Sequence, residues 1–143
     1  MTVEHILRSK GRHVVTIEPN RTLGEAARLL SEQRIGAVLI SDSFRPVVGI
    51  LSERDIIRAL ASRGATALEE PVSRSMTEKV VTCTCQSAIN EVMEMMTQGK
   101  FRHVPVVEGG RLAGIVSIGD IVKHRLAEVE AETRAMRDYI ATA

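Results

Sequence analysis

Aromatic side chains are nearly missing from this chain. Phe44, Phe101 and Tyr139 are the whole set, and there is no tryptophan. Surfaces for single-stranded nucleic acid stack bases on several exposed rings, and no such platform is visible. A charge excess is missing too: 19 Lys and Arg stand against 18 Asp and Glu, a net of +1. Coating nucleic acid or an anionic membrane as a main task needs a large positive excess, although a local basic patch is still allowed. No apolar run reaches the roughly 18 residues that cross a bilayer. The start, Met1-Thr2-Val3-Glu4-His5, lacks the charged-then-apolar order of a secretion signal. These absences predict a soluble, cytoplasmic protein with no membrane segment.

Cysteine is scarce as well, and Cys83 and Cys85 stand one residue apart. On an extended strand they face one side about 6.6 Å apart, a poor fit to a disulfide. No further Cys or His sits at metal-ligand spacing, so two small buried thiols are expected and no metal. The four histidines, His5, His13, His103 and His124, have no evident catalytic partner. With no Gly-rich phosphate loop either, no catalytic residue is assigned and an enzyme is set aside.

What the chain does have, it has twice. Val14-Val15-Thr16 returns as Val80-Val81-Thr82, 66 residues later. The run Gly-Ile-Leu-Ser-Glu-Arg-Asp-Ile at 49–56 returns at 114–121 as Gly-Ile-Val-Ser-Ile-Gly-Asp-Ile, offset by 65. A unit of this size is longer than a solenoid repeat and shorter than a usual domain. Two such halves most simply pack face to face around one shared core, with a cleft between them.

Each half reads as helix, strand, helix, strand, strand, helix. The first half has a short helix at 3–7, a strand at 14–17 and a helix opened by a Thr22/Glu25 capping box. Strands follow at 37–41 and 47–51, then a helix at 53–63. The amphipathic helix shows Leu23, Ala26, Ala27 and Leu30 at i, i+3, i+4, i+7. Its counterpart shows Ile89, Val92, Met93 and Met96, methionines that fill core. Residues 64–71 read as a linker and 72–76 as a small helix echoing 3–7. In the second half, strands at 103–107 and 112–116 flank a short loop, and each strand pair reads as an antiparallel hairpin. The last helix runs from Ile118 to about Tyr139. Leu126, Val129, Thr133, Met136 and Ile140 give it a narrow apolar stripe that must pack on the domain or on a partner copy. The expected fold class is mixed α/β, with halves at 1–64 and 65–126 and a helical extension at 127–143.

Two features carry chemistry. The first is Gly-x-x-Ser-x-x-Asp, as Gly49, Ser52, Asp55 and as Gly114, Ser117, Asp120, each where a strand hands over to a helix. Ser and Asp there cap the helix, and Asp suits its dipole. The same helix start also offers free N–H groups to an anion, with Asp beside them to accept from a ribose diol. Ser then meets phosphate or sugar, and the glycine leaves room for a ligand near the strand. The second feature is the lead-in to each hairpin, Arg34-Ile35-Gly36-Ala37 and Lys100-Phe101-Arg102-His103-Val104-Pro105. Pro105 predicts an edge or bulged strand whose unpaired backbone groups can read a flat heterocycle. Arg102 and His103 can meet phosphate, and a solvated basic strand end is the plainer alternative.

With these residues in place, the chain resembles a tandem pair of cystathionine-β-synthase (CBS) domains, the regulatory Bateman module. Within it, the chain is similar to stand-alone bacterial CBS-pair proteins. The matching features are Thr16 and Thr82, the Arg102-His103-Val104-Pro105-Val106 strand, and the two Gly-x-x-Ser-x-x-Asp runs followed by Ile56 and Ile121. The resemblance implies two pseudo-symmetric clefts for adenosine compounds: AMP first, with ATP, ADP, NAD(H) or S-adenosylmethionine as alternatives. It implies that Asp55 and Asp120 hold ribose hydroxyls and that Ser52 and Ser117 sit by ribose or phosphate. Thr16 and Thr82 would lie near adenine or phosphate. Ile35, Gly36 and Ala37, with Phe101, Arg102 and His103, would line the base, and Pro105 would stand next to them. Arg54 and Arg102 are the leading phosphate partners, with Lys10 and Lys100 behind them. The first half has Gly36 and Leu39 where the second has Arg102 and Pro105, and Arg54 is replaced by Gly119, so the two clefts are expected to differ. Modules of this kind pair as a disc-shaped homodimer and pass the ligand state to a regulated protein. A dimerisation or scaffold module with vestigial clefts, or one touching nucleic acid through its basic strand ends, is the alternative.

Overall fold

The structure, a computed structural model, describes residues 1–142. The elements are α1 (Val3–Lys10), β1 (Thr16–Ile17), α2 (Leu23–Gln33), β2 (Ala37–Ile40), β3 (Gly49–Ser52) and α3 (Glu53–Arg63). Then come α4 (Ile89–Gly99), β4 (His103–Glu108), β5 (Arg111–Ser117) and α5 (Ile118–Thr142). Two 3-10 turns, Gly64–Glu69 and Val72–Arg74, join the halves. The class is mixed α/β, as the hydrophobic periodicity predicts. No helix among the described residues is long and apolar enough to cross a membrane.

In the first half β2 is central, parallel to β1 and antiparallel to β3. In the second half β4 and β5 form the antiparallel hairpin. Gly109 and Gly110 take φ of 54° and 76°, the positive pair that a tight two-residue hairpin turn of the primed kind needs. Where the first half has β1, the second has only a parallel bridge of Cys83 to Val106. The cysteines therefore lie beside a strand rather than on one. The Cys83 N–H donates to the Pro105 carbonyl at 3.0 Å, and the Cys83 carbonyl accepts from Val107 N–H at 2.9 Å. Both thiols are free and buried. Burial pushes Cys83 up to about 12, with Cys85 and Glu108 adding to it, so it stays a thiol and is chemically quiet.

Several boundaries differ from the sequence reading. β1 has two residues rather than four, β2 stops at Ile40, and β3 starts at Gly49. The loop between β2 and β3 folds on itself instead of extending the hairpin. Asp42 accepts from the N–H groups of Phe44 and Arg45 at 2.9 and 2.7 Å, and the Ser41 hydroxyl donates to the Pro46 carbonyl. Residues 64–71, expected as linker, are mostly wound into a 3-10 turn, and the expected helix at 72–76 is a single 3-10 turn. The Thr22 box is half formed. Thr22 accepts from Glu25 N–H at 3.1 Å, while the Glu25 carboxylate pairs with Arg21 at 3.4 Å.

The chief difference is in the core. Two clusters form instead of one shared core, and each takes a piece of chain from the other repeat. Val3, Ile6 and Leu7 of α1 are buried with Cys83, Val92, Met96, Val104, Val116 and Ile121 of the second half. Val72 and partly buried Met76, which open the second repeat, pack with Leu23, Leu30, Val38, Leu51 and Ile56 of the first. Backbone bonds fix both exchanges. Val3 N–H donates to the Ser87 carbonyl at 2.9 Å, and Val72 N–H donates to the Arg21 carbonyl at 2.8 Å.

This exchange also explains the repeated glycines. Gly49 and Gly114 were expected to leave room for a ligand; they leave room for the exchanged leaders. A Cβ on Gly114 would stand 2.7 Å from Leu7 Cδ2, and one on Gly49 would stand 2.5 Å from Met76 Sδ. Leu7 is 1% exposed and cannot step aside into solvent. Overpacking of this kind costs about 1–3 kcal/mol, so Gly114→Ala should lower the unfolding free energy by that amount in urea titration. A variant as stable as the wild type would show that α1 is not held against β5 in this way.

Candidate functional site

A cleft of about 710 Å³ opens between the halves, at the point where both strand-to-helix joints meet. Ser52, Glu53, Arg54 and Asp55 line it from the start of α3, and Ser117, Ile118 and Gly119 from the start of α5. Each joint is closed by a reciprocal cap. Ser52 N–H donates to Asp55 Oδ2 at 2.9 Å, and Asp55 N–H donates to Ser52 Oγ at 3.4 Å. The corresponding distances at Ser117 and Asp120 are 2.8 and 3.2 Å. The capping role is thus fulfilled in both copies. It uses Oδ2 of each aspartate, so capping and ligand binding do not compete for the same carboxylate oxygen. Two helix N-termini converging on one cleft bring two positive dipole ends to one place. Glu53 N–H donates to the Gly36 carbonyl and Ile118 N–H to the Arg102 carbonyl, which leaves the N–H groups of Arg54 and Gly119 for an anion.

The two aspartates then part ways. Asp55 lines the cleft. Asp120 does not, because Lys10, at the end of α1, holds it: Lys10 Nζ lies 2.6 Å from Asp120 Oδ2 and 2.8 Å from the Ile115 carbonyl. Burial alone would raise the Asp120 carboxyl, but the Lys10 ammonium and the Ser117 N–H outweigh it and hold it below the ordinary 3.8. Burial, with Lys10 adding to it, holds the His103 imidazole below its ordinary 6.5, so that ring is neutral at physiological pH. Gly36 permits the close approach here. A Cβ on Gly36 would fall 2.8 Å from Glu53 Oε1 and 3.3 Å from His103 Cε1.

Around this floor stand five basic side chains: Arg54, Arg58, Lys79, Lys100 and Arg102. Glu53 and Asp55 are the acids among the lining residues. The lead-in from Lys100 to His103 enters the wall through a left-handed residue. Lys100, capping the end of α4, has φ of 57°, and Arg34 has φ of 55° at the same point of the first half. No group of His, Cys, Asp and Glu suited to a metal ion occurs among the described residues.

Of the residues singled out from the sequence, Gly36, Ser52, Arg54, Asp55, Lys100, Phe101, Arg102, His103, Ser117 and Gly119 are brought together in this cleft. Arg54 and Arg102 serve the same cleft, a point the sequence left open. Other residues fall elsewhere. Thr16 lines a separate outer groove of about 370 Å³ with Glu18, Arg21 and Arg28. Thr82 is exposed but not in the cleft, where Val80 and Val81 of the same stretch stand instead. Ile35 packs on the first core, and Ala37 is buried opposite Ser52 on the next strand. Pro105 is buried within β4, with the strand bulge just after it, between Val106 and Val107. Its carbonyl is taken by Cys83. Sequence reasoning missed Ile50, Glu53, Ile57, Arg58, Thr77, Lys79, Val80, Val81, Gly99 and Ile118. Arg58 was legible, being one turn along α3 from Arg54. The stretch 77–81 was not, since only the crossing between the halves carries it past the cleft.

The Lys10–Asp120 pair gives a pH signature. A carboxyl whose folded value lies below the unfolded 3.8 contributes its stability fully above that pH and loses it as the pH falls through the folded value. Lys10→Met should therefore be less stable than the wild type in urea at about pH 7, and the gap should narrow at about pH 2. A gap that is the same at both pH values would assign the loss to something other than this ion pair.

Comparison with known proteins agrees with this geometry. The family model described as CBS domain matches residues 3–62 and 72–127. The CBS-domain containing protein ATU1752 from Agrobacterium tumefaciens is 51% identical, with a TM-score of 0.84 over 87% of this chain and 92% of that one. A CBS domain protein from Pyrobaculum aerophilum, PAE2072, complexed with AMP, is 29% identical with a TM-score of 0.79 over 93% and 99% of the two chains. The CBS domain pair of MJ0100, in complex with 5′-methylthioadenosine and S-adenosyl-L-methionine, is 28% identical with a TM-score of 0.79 over 90% and 98%. The chain spans 66% of a curated relative from Acidianus ambivalens and 21% of the Arabidopsis thaliana protein CBSCBSPB5. With two copies of the family motif, two matched segments and this fold, the chain belongs to the CBS-domain family as a tandem pair.

Proposed function

We propose that the chain is a non-catalytic regulatory module that takes a phosphate-bearing adenosine compound into the cleft between its repeats, AMP first among them. The observation that carries the reading is the concentration of Arg54, Arg58, Lys79, Lys100 and Arg102 around two helix N-termini, with Asp55 beside them. Phosphate suits guanidinium groups and free helix N–H groups alike. Asp55 retains Oδ1 to accept from a ribose hydroxyl, since capping occupies Oδ2. The neutral His103 ring suits an uncharged heterocycle.

Two of the solved relatives are complexes, one with AMP and one with the sulfur-containing adenosines. Methylthioadenosine has no phosphate, and S-adenosylmethionine carries a positive sulfonium. Methylthioadenosine has no anionic group for the basic side chains, and S-adenosylmethionine offers them one carboxylate against two positive charges. ATP, ADP and NAD(H) are variants of the same reading with more phosphate. Lys10 sits on Asp120 Oδ2, so a second ligand on that side would meet an aspartate whose charge is already paired. One occupied cleft per chain is therefore the reading favoured here. Because α3 and α5 both begin at the cleft, a bound anion acts on two helices at once, which suits passing its presence to a regulated protein. The module is placed in the cytoplasm and acts as a homodimer in this reading.

Calorimetry with AMP, ATP, NADH, S-adenosylmethionine and methylthioadenosine tests the proposal. AMP or ATP should bind, and Arg54→Ala and Arg102→Ala should each weaken binding at least tenfold, since a hydrogen bond to a charged group is worth about 1.5–3 kcal/mol. Saturation at a hundredfold excess over Kd should raise stability by about 2.7 kcal/mol. Tighter binding of methylthioadenosine than of AMP, or indifference to both arginine changes, would overturn it.

A further inference from the structure

Past the body of the protein, α5 keeps one face bare. Ile121, fully buried, with half-buried His124 and Glu128, marks the side that packs on its own chain. Val122, Leu126, Val129, Met136 and Ile140 lie on another side and are 49% to 69% exposed. At about 100° per residue, the two sets point roughly a third of a turn apart. The bare row is therefore not the edge of the face already in use.

Its spacing is diagnostic. Val122, Leu126, Val129, Thr133, Met136 and Ile140 alternate steps of four and three. That is a heptad seam, d-a-d-a-d-a, with the mean spacing of about 3.5 residues that two supercoiled helices share. A polar Thr133 sits at the central a position, where a polar residue fixes register. The flanks settle the direction. Lys123, Glu130 and Arg137 fall at e, and Arg125, Glu132 and Tyr139 at g. In a parallel, in-register pair each g meets the e of the other chain five residues on. Arg125 then faces Glu130, and Glu132 faces Arg137, opposite in sign both times. An antiparallel pair with full overlap sets Glu132 against Glu132, Glu130 against Glu130 and Lys123 against Arg137. Every one of those charge pairs is repulsive. Arg125 also has Glu128 on its own helix at 2.8 Å, so the Glu132–Arg137 pair is the more decisive of the two.

We propose that α5 pairs with α5 of a second copy of this chain as a parallel, in-register, two-stranded coiled coil over residues 122–140. Leu126 at a with Val129 at d is a combination that suits larger bundles, while Ile140 and Thr133 at a, with Met136 at d, suit two strands. The number of chains is thus part of the test. The inference is independent of what the cleft binds.

The experiment uses the full chain, with Cys83 and Cys85 left buried as they are. Met136→Cys places a thiol at a d layer, where it meets its own copy only if the helices run parallel and in register. Mild oxidation should link it into a dimer, while Asp138→Cys, on the outer f position, should stay unlinked. Glu132→Arg in the Met136→Cys chain should cut linking several-fold, and adding Arg137→Glu should restore it. Light scattering should give twice the chain mass. Absent linking at Met136→Cys, failure of the double charge change to restore it, or a mass of one or four chains would overturn the proposal.

Discussion

The arrangement depends on one packing exchange. Leu7 of α1 fills the space above Gly114, in the second half, and Met76 fills the space above Gly49, in the first. Neither repeat can complete its core without a segment that belongs, in sequence, to the other. A pair of small β-layers with two or three strands each buries too little alone to be independently stable. Exchanging the leading segments gives each layer a second face and ties the halves together in the same step. That tie is what brings two helix N-termini, from α3 and α5, to one cleft.

The cleft inherits its character from this geometry. Two capped helix starts face it, and the opening stretch of the second repeat brings in Lys79, Val80 and Val81. The two copies of one motif end in different states because α1 delivers Lys10 to Asp120. Among the described residues no cation is placed on Asp55 in the same way. A duplicated sequence thus yields an unequal pair of sites without any change in the Ser and Asp themselves. The same α1 that completes the second core also sets a cation on one aspartate of the two.

Much of the site was legible in the residues. Ser52 with Asp55 and Ser117 with Asp120 are local caps, three residues apart, and local chemistry fixes them wherever a helix begins. The basic residues Arg54, Lys100 and Arg102 also fell where their neighbours in sequence put them. The errors have a common cause. Ala37 and Pro105 sit on strands, where one step of register turns a side chain from cleft to core, and pairing across strands decides the step. Thr16 lies on the outer side of its sheet for the same reason. Gly49 and Gly114 were correctly marked as places of close approach, but the approaching group is protein rather than ligand.

The sequence by itself determined the repeat, the main helices and hairpins, the caps and the apolar row along α5, because each shows in a pattern of residues along the chain. Only the tertiary structure decided which repeat owns α1, which aspartate is held by Lys10 and which residues between the halves reach the cleft. Lys10 and Asp120 lie 110 residues apart in the chain and 2.6 Å apart in space. No local pattern encodes that distance. It follows from closing two cores at once, a condition met only when the whole chain is folded.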